Sequence, residues 1–237
     1  MAMKRSGHHA FINWLCSLHN NITHHNDPTG DWEQGQFKGR KITSYGKGKD
    51  LCINLEDFDM DDFNILNLPS HINLYPIIFV RDFPNWIASS YKRKDHPNPT
   101  YQDVYLNLNK PHTNHRGIPK PSRIDLWKKQ IEKGINPLNN FIPIPYNTWL
   151  TSSKYRNSLS LLFNLPQSST QTISKLSEFG KGSSFTAQNN KYIDPEDVLS
   201  RYSYFTNDIT FNQILNQNLD HQSLFNTFTQ TSKKWTA

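Results

Sequence analysis

The sequence predicts an α/β domain in which helices flank a central parallel sheet. Strand-like segments alternate with helical patterns along the chain, and this order is typical of parallel sheets. Residues 75–80 (YPIIFV) form a continuous apolar and aromatic run, the kind of strand that is buried on both faces. The 237 residues are enough to bury a sizeable core, so we expect residues 1–237 to form a single domain.

The first part of the chain contains two predicted strands and two predicted helices. Apolar residues recur every three or four positions over residues 8–20, which predicts an amphipathic helix. Residues 21–27 (NITHHND) are predicted to form a short strand, and residues 51–58 (LCINLEDF) a buried strand that ends in acidic residues. The glycine- and lysine-rich stretch between them, up to residue 49, predicts a loop. A short helix is expected over residues 61–68.

The strand at residues 75–80 stops at Arg81 and leads into another helix. Proline suits the first turn of a helix because its missing N–H would have no partner there. Pro84 therefore predicts a helix over residues 84–93, with Asp82 or Phe83 at its cap.

The remainder of the chain predicts helices around one further strand. Residues 122–133 predict an amphipathic helix that stops at Gly134. Residues 141–146 (FIPIPY) are strand-like, and their prolines indicate a position at the edge of the sheet. One helix is predicted over residues 149–163, and the C-terminal residues predict several short helices.

Composition narrows the classes of partner and compartment. The net charge of +6 favours anionic ligands, but there is no basic tail, so nucleic acid is not an expected partner. The two cysteines, Cys16 and Cys52, lie far apart and form no CxxC pair, which argues against a disulfide scaffold or a zinc site. No apolar stretch approaches the roughly 20 residues of a membrane span, and no signal segment is present. We therefore expect a cytoplasmic protein.

The segment before the first helix, KRSGHH at residues 4–9, has the composition of an anion cradle. The first turn of a helix leaves backbone N–H groups unpaired and carries partial positive charge. Gly7 allows the backbone to approach a ligand closely, and Lys4 and Arg5 add full charges. Further donors come from the other side chains of the turn, Ser6, His8 and His9. The segment predicts a phosphate-like ligand, or otherwise an ordinary helix N-terminus capped by Ser6.

A second candidate anion site follows the strand at residues 75–80. Arg81 stands at the carboxyl end of that strand, and Ser89 lies two turns along the next helix. The two side chains are placed to meet on one anion, because ligands of parallel sheets bind at the carboxyl ends of the strands. The alternative is a structural arginine paired with Asp82 and a serine on the helix surface.

In these two motifs the sequence resembles the sulfotransferases that use 3′-phosphoadenosine 5′-phosphosulfate (PAPS). KRSGHH is similar to the family's PKSGTTW or PRSGTT loop, with Arg5 in the place of the loop's basic residue. Arg81 and Ser89 have the eight-residue separation of the family's RxPxxxxxS signature. Residues 179–185 (FGKGSSF) resemble its basic glycine loop. The likeness runs in order from residue 3 to about residue 190.

The resemblance implies a three-layer fold of the P-loop NTPase-like sulfotransferase type, with PAPS as donor and adenosine 3′,5′-bisphosphate (PAP) as product. In the implied cradle, His8 and His9 replace the family's two threonines, and Ala10 replaces an aromatic residue that contacts adenine in some members. The implied cofactor-binding residues come from three segments, and they are Arg5, Ser6, Gly7, His8, His9, Ala10, Arg81, Ser89, Lys181, Gly182 and Ser183.

The family's reaction implies roles for three residues. Sulfuryl transfer is an in-line displacement at sulfur by an acceptor hydroxyl or amine, here of an unidentified small molecule or glycan. Arg5 is expected to stabilise charge on the bridging oxygen. His25, at the end of the strand predicted over residues 21–27, ranks first as general base, and Glu56, at the end of the strand predicted over residues 51–58, ranks second. The chemistry requires no metal, and none is expected.

Two other classes of function remain open at this level. A P-loop kinase of nucleotides or small molecules needs the Walker pattern GxxxxGK[ST], which the cradle lacks, since His8 follows the glycine. A non-catalytic nucleotide- or polyanion-binding protein would use the same basic and aromatic residues without transferring a group.

Overall fold

The computed structural model describes residues 1–3, 6–19, 21–26, 36–37, 40–41, 50–57, 59, 74–91, 108–113, 119–166, 173 and 195–236. The helix predicted over residues 61–68 and the glycine loop at residues 179–185 lie outside these ranges.

The described residues alternate between short strands and helices. The strands are β1 Ile22–Asn26, β2 Gln36–Phe37, β3 Arg40–Lys41, β4 Asp50–Asn54, β5 Ile77–Val80, β6 His112–Thr113, β7 Pro119–Lys120 and β8 Ile142–Pro145. The helices are α1 His8–Leu18, α2 Phe83–Tyr91, α3 Arg123–Ile135, α4 Tyr146–Thr151, α5 Ser153–Leu162, α6 Pro195–Leu199, α7 Ile209–Gln217 and α8 Asp220–Trp235, with 3₁₀ turns at Pro137–Asn139 and Arg201–Phe205. Within these ranges no helix has the length and apolar character needed to cross a bilayer.

Two parallel strand pairs form the centre of the fold, which confirms the α/β prediction. β1 pairs with β4, and β5 pairs with β8. Ala2 lies between the pairs, with parallel bridges to Glu56 beyond β4 and to Phe79 in β5. Its N–H donates to the carbonyl of Leu55 at 3.0 Å. The resulting spatial order is β1, β4, the segment around Ala2, β5 and β8.

Hydrophobic clusters cover both faces of β5 and β8. Ile78 and Val80 point into a cluster with α2, α3, α7 and α8. Phe79, the residue between them, points into a second cluster with α1, α4 and α5. Successive side chains of a strand face opposite sides, so the IIFV run is apolar throughout because both faces are buried. The layers expected from the sequence are therefore present around this strand pair.

Several helix ends differ from the predictions. The predicted 149–163 helix is wrong as a single element, because Ser152 is extended and its side chain caps the second half by accepting from the N–H of Tyr155. The predicted stop at Gly134 is also wrong, since α3 continues to Ile135. The predicted loop before residue 49 contains the antiparallel pair β2 and β3. Asp82 does cap α2, as its Oδ2 accepts from the N–H of Asn85 at 3.2 Å.

Gly134, the second-last residue of α3, packs against α8. A Cβ atom added at Gly134 would lie 2.5 Å from Cε2 of Phe228, a fully buried ring in α8. Glycine to alanine in a helix interior ordinarily stabilises by up to about 1 kcal/mol. At Gly134 we expect the opposite sign, a loss of about 1–3 kcal/mol from overpacking.

Urea unfolding of Gly134→Ala measures this effect, with Glu132→Ala, an exposed position of the same helix, as control. An unchanged or raised unfolding free energy for Gly134→Ala would show that α8 does not pack against this glycine.

Candidate anion-binding site

The polar residues singled out in the sequence collect at one edge of the parallel strands. Glu56 follows β4, Arg81 follows β5, and Tyr146 follows β8. The turn at Gly7 follows the segment of Ala2 that lies between the two strand pairs. Because these segments run parallel, their carboxyl ends meet at the same edge, the usual position of ligands in such sheets.

The turn before α1 has the backbone of an anion-binding loop. Gly7 is the N-cap of α1, with φ 86° and ψ 9°, and it provides no side chain to cap the first helical turn. That turn also contains no acidic residue. Two features require glycine at this position. Its φ is positive, and an added Cβ would lie 2.5 Å from Cε2 of Tyr146. The helix N-terminus with this close-approach glycine suits a phosphate-sized anion.

Tyr146 connects the turn to the second motif. Its ring packs against Gly7, and the Cζ atom of Arg81 lies 5.2 Å from the ring centroid. The two motifs, which are more than seventy residues apart in the sequence, thus lie against opposite parts of one buried side chain. This tyrosine was noted in the sequence only as a strand end.

Arg81 is a buried cation, with 1% of its surface exposed. Its Nη1 donates to Oγ of Ser89 at 2.8 Å, and its Nη2 donates to the carbonyl of Val198 in α6. Nε is buried and has no hydrogen-bond partner. Among the described residues, no carboxylate forms an ion pair with this guanidinium. A buried charge without a counter-ion is costly, so this position is suited to an anionic ligand.

The charge of Asp82 favours the charged form of Arg81, but its carboxylate makes no direct ion pair with the guanidinium. Its Oδ2 accepts from both the backbone N–H and the side-chain amide of Asn85, which fixes the start of α2. The amide of Asn85 also donates to the carbonyl of Leu199, so α2 and α6 are held together beside Arg81. The alternative of a structural Arg81–Asp82 pair is therefore not what the structure contains.

A second buried arginine adds to the positive charge. Burial, together with the like charge of Arg81, lowers the pKa of Arg201 to about 10. Burial also lowers the pKa of Arg81 itself. An anion near both guanidinium groups would reverse these effects by favouring the charged forms. Arg201 lies in a 3₁₀ turn far along the chain and belongs to no motif, so the sequence alone did not reveal it.

The two histidines of the cradle face a carboxylate. Nε2 of His8 lies 2.8 Å and Nε2 of His9 lies 3.3 Å from the same atom, Oε1 of Glu56. Nδ1 of His8 lies 3.1 Å from Oγ of Ser6. Both ring nitrogens of His8 are thus already engaged, whereas the sequence indicated that they donate to a phosphate.

The protonation of this cluster follows from its burial. Burial lowers the pKa of His8, so that its ring is neutral at pH 7. Burial opposes ionisation of Glu56, but hydrogen bonds from His8 and His9 outweigh it and hold the pKa of that carboxyl well below its usual range. In neutral His8, Nε2–H donates a hydrogen bond to the carboxylate of Glu56, and Nδ1 accepts a hydrogen bond from the hydroxyl of Ser6.

The structure brings together seven of the residues predicted for the site, and they are Ser6, Gly7, His8, His9, Glu56, Arg81 and Ser89. Ala10 lies in the first turn of α1. His25 lies in β1 opposite Ile53, in the strand next to the one that leads to Glu56. Arg5, Lys181, Gly182 and Ser183 lie outside the described residues.

Comparisons with known proteins add no family assignment. The chain matches no protein-family model, no curated protein and no solved structure.

Proposed function

We propose that this protein is a PAPS-dependent sulfotransferase with the P-loop NTPase-like fold of that family. The observation that carries the proposal is Arg81, a buried guanidinium whose Nε has no hydrogen-bond partner and which makes no direct ion pair with a described carboxylate. It bonds to the serine eight residues further on, and it lies at the same strand edge as the Gly7 turn. Two anion sites joined by one tyrosine suit a ligand with two separate phosphate groups.

In this proposal each motif holds one end of the nucleotide. The Gly7 turn and the N-terminus of α1, with Arg5, bind the 5′-phosphosulfate. Arg81 and Ser89 bind the 3′-phosphate. Arg201, in the 3₁₀ turn that follows α6, adds a second positive charge near Arg81. The basic loop of Lys181, Gly182 and Ser183 would close over the nucleotide, as the family resemblance implies. Charge-assisted hydrogen bonds of this kind are among the strongest that proteins make.

The proposed chemistry uses position and charge. An acceptor hydroxyl or amine attacks sulfur in line with the leaving phosphate, and Arg5 stabilises the charge that develops on the bridging oxygen. Glu56, beside the Gly7 turn, is one candidate proton acceptor, but a carboxylate whose pKa is held well below its usual range is a weak base. His25 is the other candidate, on the neighbouring strand.

Adenosine 3′,5′-bisphosphate is expected to stabilise the protein more than ATP with magnesium or AMP at equal concentrations. At 100 times its Kd, it would add roughly 2.7 kcal/mol to the free energy of unfolding. AMP and ATP both carry a 3′-hydroxyl in place of the 3′-phosphate that is assigned to Arg81. Thermal unfolding with each ligand measures the difference, and an equal or larger effect of ATP would contradict the proposal.

Transfer itself is tested by incubating the protein with PAPS and a panel of phenolic, carbohydrate and amine acceptors, and measuring PAP release. Binding of PAP without release of PAP from PAPS on any acceptor would identify a non-catalytic nucleotide-binding protein instead.

A further inference from the structure

The cluster of His8, His9 and Glu56 has the composition of a metal site. One ligand atom from each residue lies within 4.8 Å of the other two. Two imidazoles and one carboxylate form the ligand set of several zinc enzymes, and a water or substrate takes the fourth position in such sites. The sequence did not suggest this set, because Glu56 is distant in the chain and reaches the histidines only where β4 ends beside α1.

We infer that His8, His9 and Glu56 bind a divalent transition-metal ion of the Zn²⁺ class. Zinc bonds of about 2.0–2.1 Å in a tetrahedral site put ligand atoms roughly 3.3 Å apart. Nε2 of His9 is already 3.3 Å from Oε1 of Glu56, and Nε2 of His8 is 2.8 Å from it. The His8–Glu56 distance would open by about 0.5 Å, and the ligand atoms of His8 and His9, which lie within 4.8 Å of each other, would adjust to the same spacing.

The surroundings of the cluster support ligation. With an ion on Nε2, His8 would carry its proton on Nδ1 and donate it to Oγ of Ser6, as metal-ligating histidines commonly do to a partner behind them. The site is largely enclosed but not closed, since the side chains of His8, His9 and Glu56 are 5%, 19% and 11% exposed. The ring centroids of His24 and His9 are 6.4 Å apart, so a further imidazole lies at the same edge.

Ligand chemistry selects the class of ion. Imidazole nitrogens suit Zn²⁺, Cu²⁺, Ni²⁺ and Fe²⁺, whereas Mg²⁺ and Ca²⁺ prefer sites made of oxygen atoms. A bound divalent ion would also reverse the charge of the cluster from the −1 of Glu56 to +1, beside the helix N-terminus. This inference rests on the cluster alone and not on the proposed sulfuryl transfer. A bound ion would compete with proton acceptance at Glu56.

The experiment is a calorimetric titration of the metal-free full-length protein with Zn²⁺, repeated with Mg²⁺, in the absence of nucleotide. We expect one Zn²⁺ per chain and no binding of Mg²⁺. Glu56→Gln and His9→Gln keep a similar side-chain size, and each should weaken Zn²⁺ binding by more than about 100-fold. Loss of a hydrogen-bond partner behind a ligand costs up to about 100-fold, so loss of a ligand itself should cost more. Co²⁺ should give the intense visible absorption of a tetrahedral ion.

His19 offers a matched control, because its Nε2 lies 2.9 Å from Oδ2 of Asp50 in a histidine–carboxylate pair that has no third ligand among the described residues. His19→Gln should leave Zn²⁺ binding unchanged. Circular dichroism verifies that each variant is folded. His9 is the most exposed of the three residues, so His9→Gln should perturb the packing least. The inference is overturned if wild type binds no Zn²⁺, or if Glu56→Gln and His9→Gln bind it as tightly as wild type does.

Discussion

Replacing Arg81 with methionine is expected to lower the affinity for adenosine 3′,5′-bisphosphate by about 10- to 150-fold while the affinity for AMP changes little. Hydrogen bonds to charged groups contribute about 1.5–3 kcal/mol, which corresponds to a change of about 10- to 150-fold in Kd. Methionine has a similar length and no charge, so it removes the buried cation without leaving a large cavity. The selectivity between the two ligands follows because Arg81 is assigned to the 3′-phosphate alone.

Isothermal titration of both nucleotides against wild type and Arg81→Met measures this selectivity. Arg123→Met is a matched control, because that arginine pairs with Asp57 through Nε at 3.1 Å and carries no assigned phosphate. Ser89→Ala should show the same selectivity with a smaller loss, which keeps the prediction testable if Arg81→Met is unstable. Equal losses for AMP and the bisphosphate would mean that Arg81 has a structural role only.

Binding at Arg81 also requires a local rearrangement. The guanidinium donates to the carbonyl of Val198, and α6 covers it. A phosphate that takes over this bond displaces the carbonyl, so α6 should lose hydrogen-exchange protection when the bisphosphate binds. An unchanged exchange pattern over Pro195–Leu199 would place the ligand away from this helix.

The parts of the fold that the sequence predicts well are those set by local patterns. The IIFV strand was predictable because both of its faces are buried, so every position is apolar. Ser122 was predictable as the start of α3 because its hydroxyl accepts from the N–H of Asp125. In both cases the sequence signal lies in the residues of the element itself.

The errors have two different causes. Gly134 has the signature of a helix end, but what requires a residue without a Cβ there is the ring of Phe228, far along the chain. Ser152 breaks the predicted helix because its side chain caps the second segment, and apolar periodicity does not detect this. The contact of Gly134 lies outside any local window, whereas the cap of Ser152 is local but forms no part of an apolar pattern.

The candidate site shows the same division. Gly7 and Arg81 stand in recognisable local contexts, a helix start and a strand end, and the sequence pointed to both. Arg201 reaches the site only because α2 and α6 pack together, and Glu56 meets the histidines only because β4 lies beside the segment of Ala2. Such partners have no sequence signal, since their positions depend on the order of strands in the sheet.

Gly7→Ala is expected to destabilise the protein through two separable effects. The left-handed backbone costs a residue with a Cβ about 1–2 kcal/mol, because the Cβ crowds the following carbonyl. The added methyl group would also meet the ring of Tyr146 at 2.5 Å, and that ring is fixed by Phe79, Trp149 and Arg81. The turn that would bind phosphate should therefore lose both its stability and its shape.

A double-mutant cycle with Tyr146→Leu separates the two effects. Leucine has no ring at the contact, so Gly7→Ala should cost less in that background, with a coupling energy of about 0.5–3 kcal/mol. Gly7→Asn gives a further comparison, because asparagine tolerates the left-handed conformation but still carries the clashing Cβ. We expect Gly7→Asn to be tolerated in the Tyr146→Leu background and not in wild type. Urea unfolding of all six proteins measures these differences. An equal cost of Gly7→Ala in both backgrounds would show that Tyr146 does not pack against the turn, and the two candidate phosphate sites would then have no common side chain between them.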